Sequence, residues 1–208
     1  MALKEIGLRV REVVREELAG LGFKKRVGDI FTRNINSAVL GWLGLNRATK
    51  GRPGVLEINP VVGVRHQPTE RLLAELREEK FHAYVPPTLS VHLGYLMPER
   101  KYTPWLFPEG EDPAKQARCM IQAVSDFGVP FMEENATLKS MVTTIEASGF
   151  GIPEQQHFRL PVMYYLMEQK DRSEEYIENR LRELCERDDL AAHHYRSFAE
   201  AIHQRMNR

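Results

Sequence analysis

Histidines and cysteines are the residues of this chain best able to hold a metal or move a proton, and it carries seven of the first and two of the second. His193 and His194 are adjacent, so about 100° of helix rotation separates them and one ion cannot take both. No His-x-x-x-His or Cys-x-x-Cys pair offers two ligands from one element, so neither a metal nor another cofactor is expected. His66 and His92 fall on different strand-like runs and could meet across a sheet.

Nucleophilic catalysis needs a hydroxyl or thiol set beside a base on a rigid turn. No Gly-x-Ser-x-Gly occurs, and Ser148-Gly149-Phe150-Gly151 stands where a helix should end. Cys119, beside Met120, reads as a packing residue, as does a lone thiol in general. Thr49-Lys50-Gly51-Arg52-Pro53-Gly54 has glycines and cations but neither the spacing of a phosphate loop nor a helix after it. Glu133-Glu134 and Asp188-Asp189 lie near helix boundaries, where acids favour the helix dipole. Lys24, Lys25, Arg26, Arg33 and Arg47 lack matched stacking aromatics, which argues against nucleic acid. Two sets of residues remain. Trp42, Arg47 and Arg52 would anchor a protein partner. His92, Tyr95 and Trp105 would line a pocket between sheet and helices, because the fourth strand adjoins an aromatic connector.

The elements that must position them are α+β. Leu3, Ile6, Val10, Val13, Val14 and Leu18 recur at helical spacing, and Gly20 and Gly22 end that helix. Strand-like runs follow at Asp29–Ile35, Val39–Arg47, Val55–Arg65 and Leu89–Met97, the third interrupted by Pro60, which predicts an edge or a bulge. Leu89, Val91, Leu93 and Tyr95 alternate onto one face of the fourth. A helix is predicted from about Pro68 to Lys80, and an aromatic connector from Tyr102 to Pro108. Beyond Asp112-Pro113 the pattern is helical. Gly128 and Gly149 are expected to stop two helices, Pro161 stands near the start of a third, and Asp171-Arg172-Ser173-Glu174 reads as a capping box. The expectation is one α+β domain over 1–208: a helix-plus-sheet lobe at 1–111 with an antiparallel sheet of about four strands, then a helical lobe at 112–208.

Charge sets limits on partners. Twenty-nine basic residues balance twenty-nine acidic ones, so no net field draws the chain to nucleic acid or an anionic membrane. Locally the balance breaks, with eight cations against two anions between Leu21 and His66, and seven anions against three cations between Glu109 and Glu146. No apolar run is long enough to span a bilayer, and Met1–Glu5 opens no signal-like segment, so a cytoplasmic setting is expected.

Three segments carry a resemblance. The helix ending in Leu21-Gly22-Phe23-Lys24-Lys25 before a strand with Phe31 and Arg33 resembles the opening of a bacterial domain-of-unknown-function family. Phe127-Gly128-Val129-Pro130-Phe131-Met132-Glu133 and Leu160-Pro161-Val162-Met163-Tyr164-Tyr165-Leu166 are similar to its later helices, whereas Gly41-Trp42-Leu43-Gly44 departs from its more polar strand. The resemblance implies partners of bacterial toxins or small binding modules. With charge segregation and no visible catalytic set, the expectation is a non-enzymatic, immunity or antitoxin-type protein that occludes a toxin domain. The alternative is a small-ligand sensor or enzyme.

Overall fold

The computed structural model describes residues 2–48, 52–148 and 150–207. Helix α1 spans Leu3–Gly20 and buries Ile6, Val10, Val13, Val14 and Leu18. It ends at the glycines: the Phe23 N–H donates to the Leu18 carbonyl (2.9 Å) and the Gly22 N–H to that of Ala19 (3.0 Å). Gly22 stands at φ +78°, a left-handed conformation that costs glycine nothing.

Six antiparallel strands follow among the described residues, two more than the sequence suggests. They are β1 (Lys24–Lys25), β2 (Ile30–Asn34), β3 (Val39–Arg47), β4 (Val55–His66), β5 (Leu89–His92) and β6 (Trp105–Pro108). Their order is β1-β2-β3-β4-β5, with β6 also paired to β4. The stretch read as an aromatic connector is in part β6, with Trp105 opposite Ile58 and Phe107 opposite Leu56. Pro60 makes neither a bulge nor an edge strand. On one side β4 pairs with β3 through Pro60; on the other, β6 takes Val55–Ile58 and β5 takes Val61–Val64. Pro60 falls in the gap between them, where no ladder needs its missing N–H.

Paired residues share a face of a sheet. One face carries Leu43, Val62, Val64, Val91, Ile58, Trp105 and Phe107, and it forms the main core. Packed on it are α1, α3 (Ala114–Ala123) and α4 (Val129–Glu134). Gly128 does not stop α3; a wide π-type turn over Val124–Gly128 carries the chain into α4. A Cβ at Gly128 would stand 3.0 Å from Val62 Cγ1, so its bareness serves close approach to the sheet. Helix α5 (Leu138–Ser148) adds Met141, Val142 and Ile145 to this core. Its start is capped reciprocally by Thr137 and Ser140, at 3.1 and 3.2 Å. The expected stop at Gly149 lies outside the described residues.

A second core joins α2 (Gln67–Leu76), which follows β4, to α6 (Pro153–Leu166), α7 (Lys170–Glu183) and α8 (Leu190–Met206). Helix α6 begins at Pro153 and holds Pro161 inside it, not near its start. The capping box is also absent. Helix α7 starts at Lys170, and buried Ser173 donates its hydroxyl to the Pro161 carbonyl (2.9 Å), tying α7 to α6. Asp189 does cap α8, accepting the Ala192 N–H at 3.1 Å. Cys119 and Cys185 are exposed rather than packed. Ala117, Met120 and Ile121 form the buried stripe of α3, and Cys119 turns away from it. No described helix is long and apolar enough to cross a membrane.

Candidate functional site

The other face of the sheet carries Leu40, Trp42 and Asn46 on β3, Asn59, Val61 and Arg65 on β4, and Ser90 and His92 on β5. The chain between α2 and β5 folds over part of it and is pinned by side chains that rise from the sheet. The Trp42 indole Nε1–H donates to the Tyr84 carbonyl (2.9 Å), and the Arg26 guanidinium stacks over the Tyr84 ring, 4.1 Å from its centre. Arg26 is itself held by Thr32 Oγ1 (2.8 Å). Arg65 donates to the carbonyls of His82, Ala83 and Pro86.

Beside this loop lies a cleft of about 530 Å³, bounded by the free edge of β5 and by Phe150–Ile152 ahead of α6. Trp42 and Val61 give it an apolar wall, while Asn46, Ser90, His92 and Gln155 supply polar groups. The His92 ring meets Tyr95 and Tyr102 edge-on, at 6.3 and 5.3 Å between centres. Its Nδ1 is buried and has no hydrogen-bond partner among the described residues. The Tyr102 hydroxyl is pushed above its ordinary range, first by desolvation and then by the charges of Glu57 and Tyr95. By contrast, the crevice beside α1 that Arg47 and Asp29 line encloses only about 10 Å³, too little for a ligand.

The residues singled out from the sequence therefore regroup. Trp42, expected as a partner anchor, shares the cleft with His92 and Tyr95. Trp105 does not: it pairs with Ile58 on the helix-covered face and is only 6% exposed, because β6 starts in register with the core-facing residues of β4. Tyr102 stands against His92 instead. Tyr95 leaves the face of Leu89 and Val91, since the strand ends at His92 and the chain turns through Leu93–Tyr95. Arg47 turns to Asp29 (3.1 Å), and Arg52 is exposed in the turn before β4. His66 and His92 do not meet. His66 pairs with Val39 and His92 with Val61, positions of opposite facing on β4. His66 caps α2 instead, Nδ1 accepting the Thr69 N–H at 3.2 Å. Burial holds its imidazole down at about 4, although Glu70 pulls the other way.

A buried ionic cluster behind the cleft went unseen in the sequence. Glu70 on α2 accepts from Arg159 Nε (2.7 Å) and Nη2 (3.2 Å) on α6, and from the Thr88 hydroxyl (2.8 Å). Arg65 Nη1 lies 3.5 Å from the same carboxylate. All three charged side chains are 5% exposed or less. Burial lowers the Arg65 guanidinium to about 10, Glu70 opposing that shift and Arg159 adding to it. The available signal was a pair of arginines inside apolar runs, Arg65 after Val61–Val64 and Arg159 between Phe158 and Leu160.

Charge segregation is also partly resolved within the fold. Arg33 of the basic segment pairs with Glu133 of the acidic one at 3.0 Å, and Arg47 and Arg65 face Asp29 and Glu70. Among the described residues no three of His, Cys, Asp and Glu converge as metal ligands. Trp42 and Val61 line the cleft beside the polar side chains of Asn46, Ser90 and His92, and no hydrogen bond joins Ser90 to His92 as a nucleophile to its base. No protein-family model, curated protein or solved structure matches the chain.

Proposed function

We propose that this chain is a binding protein, and that its cleft over the open sheet face takes a small, flat, largely apolar ligand with one or two hydrogen-bonding atoms. The observation that carries this reading is a cleft of about 530 Å³ whose apolar wall, Trp42 and Val61, stands beside a few polar side chains, Asn46, Ser90, His92 and Gln155. Clefts of that size, apolar with few polar groups, are the usual form of small-molecule sites. Binding is favoured over catalysis because no cleft group is set to activate another.

One observation favours a second reading, that of an immunity or antitoxin-type protein occluding a toxin domain. Tyr95, Tyr102 and Ile152 stand exposed around the same cleft, and such aromatic and apolar side chains suit anchoring to a protein. The resemblance to a bacterial domain-of-unknown-function family, which implies partners of toxins or small binding modules, is compatible with either reading.

Titration with the neutral fluorophore N-phenylnaphthylamine tests the first reading. Saturable one-to-one binding, lost in Ser90→Trp, which fills the cleft, is the expected result. Binding that ignores Ser90→Trp, or none at all, contradicts it.

A further inference from the structure

A second cavity, of about 150 Å³, lies on the other side of Pro86 and Gln155, residues that line both spaces. Its wall holds Arg65 and Arg159, which are 1% and 4% exposed, together with Glu70 at 5%. The carboxylate is fully occupied. Oε1 accepts from Arg159 and Thr88, and Oε2 accepts from Arg159 and lies beside Arg65. One carboxylate neutralises one of the two guanidinium groups. The second, Arg65, shares that carboxylate at 3.5 Å and otherwise meets the carbonyls of His82, Ala83 and Pro86 and the Phe81 ring.

Nearer the mouth, Arg77 is paired with Glu79 at 2.7 Å, and Lys80 has no ion pair among the described residues. The lining therefore carries four cations against two carboxylates. An excess cation held away from water is costly unless an opposite charge joins it. Arg159 engages Glu70 through Nε and Nη2 and Gln155 through Nη1, so each terminal nitrogen retains a second N–H. The cavity has room for several waters or for one compact anionic group.

We propose that this cavity is an oxyanion site, taking a carboxylate or phosphate group against the Arg65–Arg159 pair, with Lys80 at its entrance. Planar guanidinium forks suit both groups, and Lys80 adds a mobile point charge. The site is separate from the aromatic cleft and does not depend on the ligand proposed for it.

Thermal unfolding of the full chain at constant ionic strength, with chloride replaced by inorganic phosphate or by acetate, tests the proposal. Phosphate, acetate or both should raise the midpoint saturably, by about 5 °C at high occupancy, and whichever acts identifies the group. Lys80→Glu, at the exposed entrance, should weaken that response about tenfold while leaving the fold intact. Glu70→Gln should lower the midpoint in chloride and recover more from the active anion than the parent does. A purely structural cluster would not show that excess recovery. Ser90→Trp should leave the anion response unchanged, so failure of the cleft reading does not read as failure of this one. Equal midpoints in all three anions, or a response that Lys80→Glu does not weaken, would overturn the proposal.

Discussion

The benzo edge of Trp42 occupies the space in which a side chain at residue 44 would stand: a Cβ there would lie 2.5 Å from Trp42 Cη2. The two residues are neighbours on one face of β3, and the bare glycine lets the indole lean along the sheet while its Nε1–H holds Tyr84. Gly44→Ala should push the ring out of place. We expect a loss of about 1–3 kcal/mol in stability, as for other overpacked sites, together with a shifted tryptophan emission and weaker N-phenylnaphthylamine binding. Unchanged emission and binding would show that Trp42 does not depend on Gly44.

His66 makes stability depend on pH with a defined sign. Its Nδ1 must stay unprotonated to accept the Thr69 N–H, and burial holds the imidazole at about 4 against an ordinary 6.5. Stability from this group is complete above about pH 6.5 and is lost as pH falls towards 4, because the unfolded chain binds the proton first. The loss is about 3 kcal/mol over that window. Urea unfolding at pH 7, 5.5 and 4 should show it, and His66→Asn, whose amide oxygen can cap without titrating, should flatten it. An equal pH slope in both proteins would assign the dependence elsewhere.

The Glu70–Arg159 pair should behave as a unit. Glu70→Leu leaves Arg159 and Arg65 buried together, and Arg159→Met leaves the Glu70 fork unfilled; each should cost about 3–5 kcal/mol. The double variant should cost clearly less than the sum of the two. Denaturant titration of the four proteins closes the cycle, and additivity would mean that the contacts at 2.7 and 3.2 Å contribute no coupling.

Both thiols should react in the native protein, since Cys119 and Cys185 are exposed. A chromogenic disulfide reagent should release about two equivalents of thiolate without denaturant. One equivalent would mean that a helix surface described as open is covered in solution.

Much of the frame was legible because its signals are local. The end of α1 follows from Leu18, Gly22 and Phe23, and the long strands β3 and β4 follow from their apolar runs. What was missed depends on distant pairing. β6 is four residues long, begins after Pro104 and ends on Pro108, and its partners on β4 are some fifty positions earlier, so its register, and with it the burial of Trp105, could not be read locally. His92 and Tyr95 lie three positions apart and read as one set, but Trp42 reaches them only across β4. The bond from Arg159 to Glu70 spans 89 positions and has no periodicity to announce it.

Trp42 and Trp105 are the only tryptophans, one in the cleft and one in the core, so their indole N–H resonances form a signal and its internal control. Nitrogen-15 correlation spectra recorded during a titration with N-phenylnaphthylamine read both at once. Saturable shifts are expected at the Trp42 indole and at the amides of Ser90 and His92, with the Trp105 indole unmoved. Saturation without movement at Trp42, or movement centred on Trp105, would contradict binding in the cleft.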